Sequence, residues 1–271
     1  MCILMGSISD LPAFAHDAPA KFTVPPAPAW TYAQKVDATP EGCEWVAGEK
    51  SGFHGVDPAT TDRTKLYALM TSGIVPRPIA FVSSISEDGV ENLAPFSWFN
   101  MVAPDPPLIS FAVRHEPRAD GLKDTLRSVL KTKEFTVNII SHAFVENANA
   151  TAVDAPAEIS EWPLSGLTKE PSLKVKAARV KESAFSMECE LFQSHDIVHP
   201  ESGETTSTLV LGLVKYIHVR KDVLNERGLV DPVKLNAVAR LGDITYARQG
   251  DLFRIPRPTW AANGEVISGL Q

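Results

Sequence analysis

The stretch Asn92-Leu93-Ala94-Pro95-Phe96-Ser97-Trp98-Phe99-Asn100 decides how this chain is read. It combines small polar residues, a proline and the aromatics Phe96, Trp98 and Phe99, directly after the turn signal Glu87-Asp88-Gly89. Such a segment suits neither a helix nor a plain core strand. Its composition predicts an irregular loop that lays backbone amides and hydroxyls against a flat, polar-edged ligand. Ala94 and Ser97 are small enough for their N–H groups to approach such a ligand. Pro95 fixes the turn, Trp98 and Phe99 supply apolar wall, and an aromatic-rich barrel strand explains Phe96 and Phe99 equally well.

Outward from this stretch, the pattern is dominated by short strands. Ile79 to Ile85 is an apolar run ending at the Asp88-Gly89 turn, as expected for one arm of a hairpin. Leu108 to Val113, Phe135 to Ile140, Phe185 to Val198 and Thr208 to Val219 are further strand candidates, the last two joined by the turn-like His199-Pro200-Glu201-Ser202-Gly203. Helices are fewer. Leu122, Leu126, Val129 and Leu130 form an apolar stripe that predicts a helix over about Asp124 to Lys131. A second is expected from about His142 to Val153. A third should follow Pro232 and include Val233, Leu235, Val238 and Ala239, with Asp231 as N-cap. Strands joined by hairpins, with helices at intervals, predict a mainly β protein: an antiparallel barrel with peripheral helices, not a series of βαβ units.

The bulk numbers narrow the classes. The chain has 271 residues, 44% of them hydrophobic and 22% charged, as in a globular protein. A formal net charge of -7 argues against broad nucleic-acid binding, which needs clustered Lys and Arg. No apolar run approaches the ~20 residues that cross a bilayer. Met1 to Ala20 lacks a basic n-region and is interrupted by Asp10, His16 and Asp17, so it does not read as a secretory signal. Cys2, Cys43 and Cys189 are odd in number and far apart, which predicts a reducing, cytoplasmic setting with no disulfide framework. Residues 1–60 differ from the rest. Pro25-Pro26-Ala27-Pro28 argues against regular structure there, yet Trp30, Tyr32, Trp45 and Phe53 call for packing. An extended arm over the main domain or a partner subunit fits, as does a cover for a ligand site. The expected division is an arm over 1–60, a principal domain over 61–250 and a tail over 251–271.

Three blocks carry candidate chemistry. Lys123-Asp124-Thr125 opens a predicted helix, offering an ammonium, a hydroxyl and unpaired N–H groups to an anion, with Asp124 or Thr125 as N-cap. A capped helix beside a surface lysine explains the same residues. Ser83 and Ser84 end the first strand with one hydroxyl on each face, a common strand ending. Arg77 is held between Pro76 and Pro78, poised for an anion or for a salt bridge to a carboxylate.

In order and at plausible spacing, the residues then resemble one family. Thr71-Ser72-Gly73-Ile74-Val75-Pro76-Arg77-Pro78-Ile79-Ala80, Val82-Ser83-Ser84 and Asn92-Leu93-Ala94-Pro95-Phe96-Ser97 closely resemble the flavin reductase-like domain family. The likeness continues through Asp105-Pro106-Pro107-Leu108, Lys123-Asp124-Thr125-Leu126-Arg127, Glu134-Phe135-Thr136-Val137-Asn138 and Arg240-Leu241-Gly242, spanning about Leu66 to Arg248. The resemblance implies an FMN-binding split β-barrel of Greek-key-like, flavoredoxin-like type, and a homodimer with FMN near the subunit interface. Ser83, Ser84, Lys123 and Thr125 would grip the FMN phosphate, with Asp124 at the same helix start and Arg77 joining them. Asn92, Ala94, Pro95, Ser97 and Asn100 would approach the isoalloxazine or ribityl chain. Trp98 departs from the family's smaller aromatic, so the ring's surroundings differ here.

The implied activity is that of an NAD(P)H-dependent flavoprotein oxidoreductase, with hydride passing to flavin N5 and on to free flavin or another small-molecule acceptor. Nicotinamide would bind transiently, because no Gly-x-Gly-x-x-Gly follows a strand. A dedicated FMN-dependent oxidase, reductase or monooxygenase-like enzyme, and a non-enzymatic FMN-binding electron carrier, are the alternatives. Arg240 and Tyr246 either reach the open face of the ring or pin the C-terminal turn. His195 and His199 share a strand face, but no partner ligands accompany them, so no metal is expected.

Overall fold

The computed structural model describes residues 11–16, 19–116 and 120–270. Cys2, Asp10 and Asp17 lie outside the described residues. Contacts divide the chain into two units: residues up to 57 together with those from 250 onward, and Pro58–Gln249.

In the larger unit, Ala80–Ile85 (β1) and Glu91–Phe96 (β2) form an antiparallel hairpin. Its turn is the expected one. Ser86 N donates to the Val90 carbonyl at 2.9 Å, and Gly89 takes a φ of +85°, which glycine adopts without steric cost. Phe99–Pro104 (β3), Pro107–Arg114 (β4), Glu134–Asn138 (β5), Phe185–Val198 (β6) and Thr205–Val219 (β7) complete an antiparallel sheet in the order β2-β1-β5-β6-β7-β4-β3.

That order has a geometric consequence. β2 and β3 lie at opposite edges of the sheet, yet only Ser97 and Trp98 separate them in sequence. A connector this short spans at most about 11 Å. The two edges must therefore come together, and the sheet closes into a barrel. The loop expected over Asn92 to Asn100 is corrected accordingly. Its first part is β2, with Pro95 opposite Phe81, and Phe99 and Asn100 begin β3. An edge strand accommodates a proline because one side of its backbone has no ladder to break.

β1 is buried on both faces because its side chains alternate. Ala80 and Val82 join a core with Phe111, Leu126, Val129, Phe135 and Val210, against which Phe96 and Phe99 pack. Ile79 and Phe81 join a second core with Leu93, Ile140, Phe144 and Trp162. Arg63–Gly73 forms the first helix of this unit (α1), capped by the Asp62 carboxylate, which accepts from Thr64 N and Lys65 N at 3.1 Å each. Asp124–Thr132 (α2) presents Leu126 and Val129 to the first core, as its apolar stripe predicted.

Two other helices are shorter than expected. The segment from His142 is a turn of 3-10 helix followed by Val145–Ala150. The helix after Asp231 is Pro232–Leu235, stopped by Asn236 in a left-handed conformation with a φ of +50°. Val238 and Ala239 instead enter a strand, Val238–Arg240, paired with Tyr246–Arg248.

The smaller unit is more regular than its composition suggested. Pro40–Ala47 is a helix because Pro40 opens it and the Thr39 hydroxyl accepts from Gly42 N at 3.1 Å. Phe22–Thr23 pairs in parallel with Leu252–Phe253, so the segment after residue 250 shares a unit with the arm, and Trp260–Ser268 adds a helix. Trp30 meets Tyr32 edge-on at 5.5 Å. Trp45 and Phe53, expected to pack, are 81% and 95% exposed in the single chain. Among the described residues, no helix is long and apolar enough to cross a membrane.

Candidate functional site

The N-terminus of α2 forms one wall of a cavity. Lys123, not Asp124 or Thr125, is the N-cap residue, and its Nζ meets Glu116 Oε1 at 2.6 Å. Asp124 lies in the first turn, where a negative charge suits the helix dipole, and binds Arg127 Nη1 at 2.6 Å. The Thr125 hydroxyl donates to Asn92 Oδ1. Asn92 Nδ2 in turn donates to Glu161 Oε2 at 2.8 Å, and Leu93 N donates to the same oxygen at 3.1 Å. Thr125, Asn92 and Glu161 thus form a buried chain across the cavity wall. Burial pushes the Glu161 carboxyl above the usual carboxylate range; the charge of Asp124 adds to this, and the donors from Leu93 and Asn92 oppose it.

Asn92, Ala94, Pro95, Lys123, Asp124 and Thr125, all candidates from sequence, line this one cavity. Phe96, Glu116, Glu161 and the segment Thr151–Ala155 complete its walls. Glu161 escaped the sequence reading. It lies 69 residues from Asn92, and no spacing or local pattern links the two.

The remaining candidates lie elsewhere. Ser84 is paired with Asn92 across the hairpin, so its side chain shares Asn92's face, and its buried hydroxyl has no hydrogen-bond partner among the described residues. Ser83, one residue earlier, faces the opposite core with Phe81 and Leu93. The two hydroxyls cannot close on one phosphate, because alternation along β1 separates them. Arg77 is likewise spent internally. Its Nη1 donates to the carbonyls of Thr71 and Ile74 at 2.5 and 2.7 Å, its Nη2 to Leu241 O at 2.8 Å and its Nε to Ser97 Oγ at 3.4 Å. It satisfies carbonyls left open at the C-terminal end of α1, and among the described residues no carboxylate is its partner.

Trp98 belongs to an apolar groove along α1, with Leu66, Tyr67, Met70 and Ile74, and its ring centroid is 6.3 Å from that of Tyr67. Asn100 is exposed, its Oδ1 accepting from Met101 N at 2.9 Å. Arg240 lies over the Tyr246 ring at 4.6 Å and donates to Asp243 O at 2.5 Å, while Tyr246 Oη donates to Asn149 Oδ1 at 2.9 Å. These contacts pin the C-terminal turn. His199 Nδ1 accepts from Glu201 N and Ser202 N, organising the β6–β7 turn.

A family model described as the flavin reductase like domain matches residues 70–236. The chain belongs to the flavin reductase-like domain family. The nitrilotriacetate monooxygenase component B from Bacillus cereus is 34% identical, with a TM-score of 0.71 over 75% of this chain and 99% of that one. The 2-nitrobenzoate 2-nitroreductase of Pseudomonas fluorescens is 27% identical, with a TM-score of 0.66 over 76% and 98%. A proposed flavin reductase with a split barrel domain from Shewanella frigidimarina shares the fold at 21% identity and a TM-score of 0.66, over 76% and 100%. The closed sheet with its unpaired edges is this split barrel.

The cavity of this flavin reductase-like domain fits a phosphate-bearing flavin at one end. Lys123 and the N–H groups opening α2 supply donors there. Backbone of Asn92, Ala94 and Pro95 forms the adjoining wall, where the small Ala94 leaves the chain approachable.

Proposed function

We propose that the protein is an FMN-dependent oxidoreductase that draws electrons from NAD(P)H and delivers them to free flavin or another small-molecule acceptor. One observation carries this reading: Lys123 and Thr125 at the start of α2 share a cavity with Asn92, Ala94 and Pro95 of β2. A bound flavin would supply the hydride chemistry. The chain's own residues bind and orient. Lys123 and the N-terminus of α2 hold the phosphate, and Asn92, Ala94 and Pro95 set the ring's edge. Phe96 backs this wall from the first core. No side chain is assigned as a general acid or base, since a hydride transfer requires none.

We also infer a homodimer with the flavin near its interface, supported by the exposed apolar side chains on α1 and Trp98. Light scattering on a sizing column tests this, and a monomer at all concentrations would overturn it. The central test is the absorption spectrum of purified protein, followed by anaerobic mixing with NADH and NADPH. A flavin spectrum bleached by either nicotinamide is expected. Colourless protein that takes up no FMN would refute the reading.

The groove at Trp98 favours a second reading. Its apolar walls suit an organic substrate beside the flavin site. A yellow protein that ignores both nicotinamides but is reoxidised by an aromatic acceptor after chemical reduction would favour it.

A further inference from the structure

We propose that Glu161 takes up a proton when an anionic phosphate binds beside Thr125, and that this proton converts the Thr125 hydroxyl from an acceptor toward the cavity into a donor. The inference rests on the reading of this cavity as the FMN phosphate site. The hydrogen-bond chain dictates the logic. An ionised carboxylate only accepts. With Glu161 ionised, Asn92 must therefore present Nδ2 to Oε2, as observed at 2.8 Å, and its Oδ1 faces Thr125. Oδ1 takes the Thr125 hydrogen. Thr125 is then left with only lone pairs for the cavity, the wrong polarity for an anion.

One proton from solvent reverses every direction. Protonated Glu161 donates to Asn92 Oδ1 once the amide has turned over. Nδ2 then donates to Thr125 Oγ, and the Thr125 hydrogen is released to the phosphate. The only covalent changes are the O–H bond formed on Glu161 and the bond to that proton broken in the hydronium or buffer acid that supplies it. Leu93 N, 3.1 Å from Oε2, keeps its acceptor in both states.

The surrounding charges favour this uptake. Glu161 is 5% exposed, and Asp124 raises its proton affinity from the start of α2. Glu116 and Asp154 line the same cavity. The nearby cations are engaged: Lys123 with Glu116, Arg127 with Asp120 and Asp124, and Lys169 with Glu91 and over the Trp162 ring. A phosphate adds negative charge to this set, so binding must raise the proton affinity of Glu161 further.

The test compares FMN with riboflavin, which lacks the phosphate, across pH, in wild type and Glu161→Gln. The Gln amide donates permanently to Asn92 Oδ1 and imitates the protonated state. Relative to E161Q, wild-type FMN affinity should fall about tenfold per pH unit once Glu161 ionises, while riboflavin affinity should not follow. The comparison cancels the phosphate's own ionisation near about pH 6. Wild-type calorimetry in two buffers of different ionisation enthalpy needs no variant. Above the Glu161 ionisation that the wild-type pH profile locates, and at or above about pH 7, where the FMN phosphate is mostly a dianion, it should show proton uptake with FMN and none with riboflavin. Parallel pH profiles for the two proteins, equal effects on both flavins, or binding without proton uptake would each overturn the inference. Failure of wild type to bind either flavin would instead refute the flavin site itself.

Discussion

Arg77 Nη2 reaches the Leu241 carbonyl at 2.8 Å, joining the approach to β1 with a turn 164 residues later. With Nη1 on the carbonyls of Thr71 and Ile74, the guanidinium replaces water at three backbone acceptors. Arg77→Met removes the charged donor and strands those acceptors, which should cost about 2–5 kcal/mol. Urea unfolding measures this, and an unchanged midpoint would show that Arg77 is no strut.

The cavity makes a sharper prediction about phosphate. Lys123→Ala combined with Thr125→Val should weaken FMN binding about 10–100-fold, the loss expected for charge-assisted contacts. Riboflavin should lose far less. Fluorescence quenching during titration reads both, and equal losses would place the phosphate elsewhere.

Two buried glutamates give opposite pH dependences. Burial alone would raise Glu188, but His218 Nε2 at 2.6 Å and the amides of Leu173 and Lys174 outweigh it and hold its pKa below the usual glutamate value. Its contribution to stability is therefore complete above the unfolded value of about 4.3 and is lost as pH falls through the folded pKa. Glu161 is raised, so its contribution to stability declines as pH climbs from about 4.3 toward its folded pKa. Denaturation across pH should show Glu188→Gln less stable than wild type at neutral pH, with the gap closing in acid. Glu161→Gln should lack the decline above about pH 4.3. A Glu188→Gln penalty that is independent of pH would contradict the assignment.

Gly212 tests the barrel interior. On β7 it lies opposite Ile109, and an added Cβ would come 2.5 Å from Phe135 Cζ. Because Phe135 is fully buried, it has little room to retreat. Gly212→Ala should destabilise by about 1–3 kcal/mol through overpacking, and a stabilised variant in thermal melts would contradict this packing.

Much of the fold was legible because its signals are local. Phe185–Val198 matches its sequence reading end to end, since β-branched and aromatic residues run up to a turn rich in Gly and Pro. α2 was visible from Leu126 and Val129 on one face. The site was half legible. Lys123 and Thr125 stood out as an anion-suited helix start and Asn92 within a ligand-suited stretch, the resemblance joined them, and the backbone brings them together. Glu161 was not, because a buried carboxylate serving a distant amide leaves no periodicity behind. Arg77 and Ser83 were found, but their surroundings were not legible. Only tertiary structure shows that carbonyls from α1 surround the first and that alternation turns the second away. The arm's helix at Pro40 was signalled by Thr39 and Pro40, but the neighbouring proline-rich run masked it.

The connection through Ser97 and Trp98 constrains how this chain can be rewired. Because it is the short link between the sheet's two edges, a few inserted residues there would relax the closure without deleting a ladder hydrogen bond. The same insertion at the Glu87-Asp88 tip of the first hairpin would only lengthen a surface turn. New chain ends made by circular permutation therefore belong at that tip. At Ser97 they would uncouple the edge that carries Asn92 from the edge that begins with Phe99, and the cavity beside α2 would lose the frame that holds its wall in place.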